Sequence, residues 1–335
     1  MQEITEKVLL DRAAELLKDG TVCSVLGWKK GEFFYDTVPA LFHSEEELRS
    51  NFVYGDFCGC NFSKSLVKLC SMAKGKILVF LKPCDTYSFN QLLSEHRFER
   101  EKVYAIGIPC NGMLDINEIK ARTSEGVIGI REENGELIVN TLYDGEKRMR
   151  REDALPDRCR HCKSKRHVAY DELLGDEGED SEASENGRFD DVAKLEAMSP
   201  EQRYAFWQNE LSRCIRCNAC RDACPACTCE KCVFDNPKSG VENKAVSDSF
   251  EEKLFHIIRA FHVAGRCTDC GECSRVCPQH IPLHLLNRKF ISDIDVLYGE
   301  YQAGETDSCR SPLVDYSKND PEPGVSVKER KVNNA

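Results

Sequence analysis

Cys214-Ile215-Arg216-Cys217-Asn218-Ala219-Cys220-Arg221-Asp222-Ala223-Cys224-Pro225 and Cys267-Thr268-Asp269-Cys270-Gly271-Glu272-Cys273-Ser274-Arg275-Val276-Cys277-Pro278 carry one cadence twice. Three cysteines, each separated from the next by two residues, form a tight loop that wraps one iron–sulfur cubane and turns backbone N–H groups toward its sulfurs. The fourth, set off by its proline, reaches the neighbouring cluster. The spacing therefore predicts two [4Fe–4S] clusters with exchanged ligands. Cys214, Cys217, Cys220 and Cys277 are expected on one, and Cys267, Cys270, Cys273 and Cys224 on the other. Structural zinc sites use pairs of ligands in a different rhythm.

More than forty residues separate the two runs, too many for a compact βαβ ferredoxin. Within that interval the pattern predicts a helix over 250–263. Ser249 and Glu252 offer a capping box, Phe250, Leu254, Ile257, Ile258 and Phe261 an apolar face, and Gly265 a stop. The arrangement resembles the α-helical ferredoxin domain of respiratory and heterodisulfide-reductase subunits, in which helices separate the two cluster loops. The resemblance covers Met198–Phe290. Cys227, Cys229 and Cys232 lie just past the first run. They read either as a further metal or redox-active thiol site, or as thiols packed beside a cluster, and three ligands without a fourth favour the second reading.

The chain has 335 residues, 20 cysteines and a formal net charge of −11. Its length suggests about two domains. The negative balance argues against non-specific binding to nucleic acid or to an anionic membrane. No stretch approaches the roughly 20 apolar residues of a transmembrane helix, and Met1–Lys7 lacks a signal-peptide pattern. A cytoplasmic protein is expected, where reducing conditions make tight Cys-x-x-Cys runs metal ligands rather than disulfides.

Residues 1–172 read as α/β. A helix over 4–18 offers Val8, Leu9, Leu16 and Leu17 for burial and stops at Gly20, and Cys23–Phe34 suggests a hairpin turning at Lys29-Lys30-Gly31. The bare apolar runs Ile77–Leu81 and Val103–Ile108, with a helix over 86–95 between them, suggest parallel strands buried on both faces. Val127–Ile130 and Glu136–Leu142 flank Asn134-Gly135, a hairpin signal. From Asp176 to Asp191 there are eight acidic residues and one Arg, the composition of a solvated, flexible linker. The expected organisation is thus an α/β N-terminal domain over 1–172 and an acidic linker over 173–197. An α-helical dicluster ferredoxin domain over 198–291 and a polar tail over 292–335 complete it.

Of the eight cysteines before the linker, Cys84 and Cys110 end the two buried strands, and Cys159 and Cys162 form a Cys-x-x-Cys after the hairpin. Strand C-termini in such sheets converge on the edge where ligands bind, so these four thiols are candidates for a third [4Fe–4S] cluster. Lys82-Pro83-Cys84-Asp85-Thr86-Tyr87-Ser88, Gly107-Ile108-Pro109-Cys110-Asn111-Gly112 and Arg158-Cys159-Arg160-His161-Cys162 resemble the beta-subunit family of coenzyme F420-reducing hydrogenase and formate dehydrogenase. The resemblance runs over roughly 53–171, and Cys58 and Cys60 are additional to it. It implies a [4Fe–4S] cluster and FAD on this domain, with Cys84, Cys110, Cys159 and Cys162 as cluster ligands, and redox subunits as partners. No Gly-x-Gly-x-x-Gly phosphate loop follows a strand. Lys163, Lys165 and Arg166, with His167, are left with three readings: a flavin pyrophosphate site, an offset to cluster charge, or a solvated turn. The expectation is an iron–sulfur electron-transfer subunit of an anaerobic oxidoreductase complex, relaying electrons between a flavin or soluble two-electron carrier and partner subunits. The alternative is a FAD-dependent subunit that itself reduces F420 or NAD(P).

Overall fold

The computed structural model describes residues 4–178, 187–239 and 249–315. It falls into two compact units, Met1–Thr86 with Phe98–Arg188, and Tyr87–Arg97 with Phe189–Ala335. The first is α/β and the second helical, as the sequence implies.

In the first unit, helix α1 (Glu6–Lys18) leads into strands β1 (Ser24–Lys30) and β2 (Thr37–Phe42). Helices α2 (Glu45–Asn51) and α3 (Ser63–Met72), strand β3 (Ile77–Leu81), helix α4 (Pro83–Ser94), of which Tyr87 onward falls in the second unit, strand β4 (Val103–Gly107) and helix α5 (Ile116–Arg122) follow. Then come β5 (Val127–Glu133), β6 (Glu136–Thr141), β7 (Gly145–Arg150), α6 (Asp157–Arg160) and β8 (Glu172–Leu173). One sheet has the order β2-β1-β3-β4-β8, and β5, β6 and β7 make another. β1, β3, β4 and β8 run parallel. All five side chains of β3 are buried, as are all of β4 except Tyr104, which is why both strands read as unbroken apolar runs. Each delivers a Pro-Cys pair at its C-terminal end. Pro83 sits in the first turn of α4, where a missing N–H costs nothing, so that helix starts three residues earlier than expected.

The hairpin across Asn134-Gly135 forms, with both turn residues at positive φ (54° and 79°), matching the twist of the flanking strands. Three local expectations change. The first hairpin turns over 31–36 rather than at 29–31, because β1 keeps its register with β2 out to Lys30↔Thr37. In α1, Leu9, Ala13, Ala14 and Leu16 are buried and Val8 is exposed. β7, a strand of mostly charged residues, extends the second sheet.

In the second unit, helices α7 (Asp190–Glu196) and α8 (Pro200–Ser212) precede the first cysteine run. The short helix α9 (Ala219–Asp222) lies within that run, α10 (Ser249–Val263) between the two, and α11 (Glu272–Arg275) within the second. Helix α12 (His284–Tyr298) closes the unit. A capping box of Ser199 and Gln202 starts α8. The acidic stretch expected as a linker falls partly outside the described residues, at 179–186. Its end is built in, since Asp191 in α7 accepts a hydrogen bond from the buried Arg288 at 2.6 Å. The expected tail likewise packs through its described part. Ile294, Ala303 and Ser311 are buried, and Tyr301 Oη donates to Gly265 O at 2.8 Å. Residues 316–335 lie outside the described residues.

Helix α10 departs most from its sequence reading. Phe250, Ile257 and Phe261 are exposed, whereas Glu252, Phe255, His256, Arg259, Ala260 and Val263 are buried. The helix turns a partly polar face inward. The side chain of Ser249 lies outside the described residues, and with it the expected capping box.

Phe80, in β3, is fully buried, stacks on Trp28 and packs at a tilt against Phe52 at centroid distances of 6.1 and 5.6 Å. Phe80→Ala should lower the unfolding free energy by about 3–5 kcal/mol. Phe33→Ala, at an exposed position, should change it by less than about 0.5 kcal/mol. Urea unfolding followed by circular dichroism reads both.

Candidate metal centres

The two cysteine runs fold alike. In the first, Arg216 and Asn218 on either side of Cys217 take left-handed conformations (φ 53° and 64°). In the second, Asp269 and Gly271 flank Cys270 at φ 59° and 67°. Alternating handedness curls the backbone into a nest whose N–H groups face inward, a shape suited to anions. Arg216 N donates to Cys214 Sγ at 3.4 Å. In the second run the N–H groups of Asp269 and Glu272 bond to the sulfurs of Cys267 and Cys270. A short helix, α9 or α11, then carries each chain to its fourth cysteine, Cys224 or Cys277.

Cys214, Cys217, Cys220 and Cys277 line one narrow cavity with Phe255 and His256. Cys224 lies instead among Cys267, Cys270 and Cys273, on whose thiols its charge acts. The fourth cysteine of each run thus sits with the three of the other. Burial pushes Cys214 and Cys273 up to about 12 and raises Cys220, Cys267 and Cys270; Glu252, Asp269 and Glu272 add to it at Cys214, Cys267 and Cys270, and neighbouring thiols at Cys220 and Cys273. Gathering several thiolates in a dry interior needs compensating charge.

The surrounding donors suit a sulfur-rich anion. His256 Nε2 lies 3.2 Å from Cys214 Sγ, and Asn287 Nδ2 donates to Cys273 Sγ at 3.7 Å. Among the described residues the buried Nε and Nη1 of Arg259 have no hydrogen-bond partner. Such groups are costly to bury unless something accepts from them. Among the described residues no three Cys, His, Asp or Glu side chains converge on a single-ion site; cubane ligands are held farther apart by the cluster between them. The residues present fit two iron–sulfur cubanes.

In the first unit, Cys84 lies in the first turn of α4, Cys110 follows β4, Cys159 lies in α6 and Cys162 two residues beyond it. Burial raises the Cys84 and Cys110 thiols; Cys162 and Cys110 add to the effect at Cys84, and Cys159 at Cys110. All four thiols act on Lys165, whose ammonium burial would disfavour but which they hold protonated. Gly112 (φ 93°) lets the loop after Cys110 approach α6. A Cβ there would stand 2.9 Å from Leu155 and 3.6 Å from Cys159 Cβ. Lys82, 2% exposed, pairs with Asp85 at 2.7 Å and donates to the carbonyls of Cys58 and Cys60 at 3.4 and 3.0 Å. A separate cleft of about 310 Å³, lined by Lys30, Phe34, Tyr54, Phe57, Arg131 and Glu132 among others, shares this neighbourhood through Tyr54, on which the Cys110 charge acts.

Residues 210–281 match the 4Fe-4S dicluster domain family. The F420-dependent formate dehydrogenase subunit beta of Methanocaldococcus jannaschii is 26% identical, over 83% of this chain and 84% of its own length. The F420-dependent formate dehydrogenase 1 subunit beta of Methanococcus maripaludis is 25% identical, over 65% and 71%. Over most of its length the chain is similar to these formate dehydrogenase beta subunits. A chain of the F420-reducing [NiFe] hydrogenase complex from Methanosarcina barkeri overlaps 63% of this chain and 91% of itself, at 11% identity and a TM-score of 0.35, too low to bear on the fold.

Against this beta-subunit frame, the remaining cysteines disperse. Cys227 packs beside Cys224 and Val263, Cys232 packs against the Phe234–Phe255 core, and Cys229 is exposed. Cys58 is buried and its sulfur accepts from Gly55 N at 3.3 Å. Of the basic run, Lys165 faces the four thiols, and none of Lys163, Lys165 and Arg166 lines the cleft. His161 Nδ1 sits 3.1 Å from Gly187 O, a neighbour rather than a ligand. His256, Arg259, Asn287 and Lys82 emerge only from the structure. The one sequence signal for them is Glu252, His256 and Arg259 at i, i+4 and i+7 within an otherwise apolar helix.

Burial pushes the Cys58 thiol up to about 11. Because the thiolate is the nucleophile, alkylation of Cys58 by iodoacetamide should be slow near neutrality and climb as pH approaches that value. Exposed Cys229 should label faster throughout. Peptide mass spectrometry after brief native labelling checks this, and equal labelling at about pH 7 would contradict it.

Proposed function

We propose that the chain is an iron–sulfur electron-transfer subunit of an oxidoreductase complex, passing electrons between a two-electron carrier and partner redox subunits. The observation that carries this reading is the pair of mirrored cysteine nests in the second unit, within the stretch that matches the dicluster family. On this reading Cys214, Cys217, Cys220 and Cys277 hold one cluster, and Cys267, Cys270, Cys273 and Cys224 the other. When bound, the clusters supply one-electron steps. The chain's own residues hold them apart from water, donate to their sulfurs and balance their charge.

Cys84, Cys110, Cys159 and Cys162 are proposed as ligands of a third [4Fe–4S] cluster. Support comes from their mutual electrostatic coupling and from the buried Lys165 beside them. Lys165 thereby favours charge offset among the three readings of the basic run, while Lys163 and Arg166 keep a proposed role toward a flavin phosphate. The cleft beside Tyr54 is the proposed seat of a flavin ring or a soluble carrier, its volume at the lower end for small-molecule sites. A second reading has the chain bear FAD and reduce F420 or NAD(P) itself. It is favoured by that cleft and by relatives named as F420-dependent. The proposed setting is the cytoplasm of an oxygen-poor cell, with catalytic subunits as partners.

Anaerobic quantification of iron, sulfide and flavin on the full chain tests all of this. About twelve irons are expected, of which Cys84→Ser should remove about four and Cys220→Ser a different four. About eight irons, unchanged in Cys84→Ser, would remove the third cluster. Zinc alone, or no metal, would overturn the reading. About one FAD per chain would favour the second reading over a plain relay.

A further inference from the structure

Helix α10 buries one cation in the region where the two cysteine sets meet. Arg259 is 4% exposed. Its Nε and Nη1 are enclosed and have no hydrogen-bond partner among the described residues. Its charge acts on Cys220 of one set and on Cys224 and Cys273 of the other. Other buried cations of this unit have acidic counterparts. Arg216 faces Glu252 at 3.6 Å and stacks on Phe255 at 4.2 Å, and Arg288 pairs with Asp191 and Asp269 at 2.6 and 3.2 Å. Arg259 has sulfur instead.

Resting on the dicluster reading above, we propose that Arg259 is an electrostatic bridge that sets the reduction potentials of both clusters, its planar fork donating toward each from between them. A guanidinium stays charged at any working pH and spreads its donors over a rigid plane. It can therefore serve two acceptors at once, which an ammonium does less well. Reduction of either cluster adds one electron from the reductant and breaks no bond, so the anion gains one negative charge. A fixed cation beside both favours that step at both. Arg259 touches no substrate and is a positioning residue for the electron.

The test is an EPR-monitored redox titration of the full chain, wild type against R259M and R259K, with iron and sulfide measured on the same samples. In R259M both C-terminal clusters should become harder to reduce, each at least tenfold in its one-electron equilibrium, or about 59 mV more negative. R259K keeps the charge on one compact centre, so one cluster should hold its potential within about twofold while the other falls. Unchanged potentials in R259M, or a shift at one cluster only, would overturn the bridge. Should R259M fail to retain iron, R259K decides, and two unchanged potentials there would overturn the bridge. Loss of iron from both variants would assign Arg259 to cluster assembly and overturn it as well. A wild type without reducible cubanes would sink the dicluster reading itself, a result distinct from all of these.

Discussion

Sulfur anions repel one another, and burial removes the water that would screen them. Much of this chain can be read as an answer to that constraint. Eight cysteines of the second unit are drawn into two groups, and burial raises the proton affinity of five of them. As bare thiols they would stay protonated. As ligands they must ionise, and then need metal charge at the centre and hydrogen-bond donors around it. The left-handed residues flanking Cys217 and Cys270 supply donors from the backbone, where their position is fixed by the loop rather than by a rotamer. Side-chain donors come from the helices, His256 from α10 and Asn287 from α12.

The exchange of the fourth cysteines follows from the same geometry. A run of three cysteines uses all the curvature that two left-handed residues can provide. The short helix that follows, ended by proline, carries the next cysteine away from its own loop and toward the other. On the proposed ligand assignment each loop completes its partner's set. Helix α10 lies between the runs in sequence and packs against α8 and α12, which gives the two loops a common wall.

What was legible in the sequence was whatever depends on local spacing. The cysteine cadence, the apolar runs of β3 and β4 and the Asn134-Gly135 turn each encode their structure within a few residues. What escaped depends on surroundings that periodicity does not report. Helix α10 reads as an amphipath with Phe250, Ile257 and Phe261 inward, because hydrophobic pattern alone presumes an apolar core. Here the wall of the helix faces sulfur, so Glu252, His256 and Arg259 go in and three large apolar side chains stay out. β7 is mostly charged and looks like a loop, yet a solvent-facing edge strand with charged side chains is protected from unwanted pairing. The stretch after 291 reads as a tail because it is polar, while its anchoring rests on a few residues: Ile294, Ala303, and Tyr301 bonded to Gly265.

The choice of cation at the two regions follows a common logic. Lys165 in the first unit stands beside one group of four thiols, Cys84, Cys110, Cys159 and Cys162. A compact ammonium suffices there, since one point charge can be centred on one anion. Lys82, held by Asp85 and by the carbonyls of Cys58 and Cys60, stiffens the turn that presents Cys84. In the second unit the charge must answer to two groups at once, and the residue is Arg259. A planar cation with donors on opposite edges can lie between two acceptors without favouring either, whereas a lysine would have to choose. On the proposed reading, the identity of the buried cation follows the number of thiol groups it faces, a relation that charge counting along the sequence does not reveal.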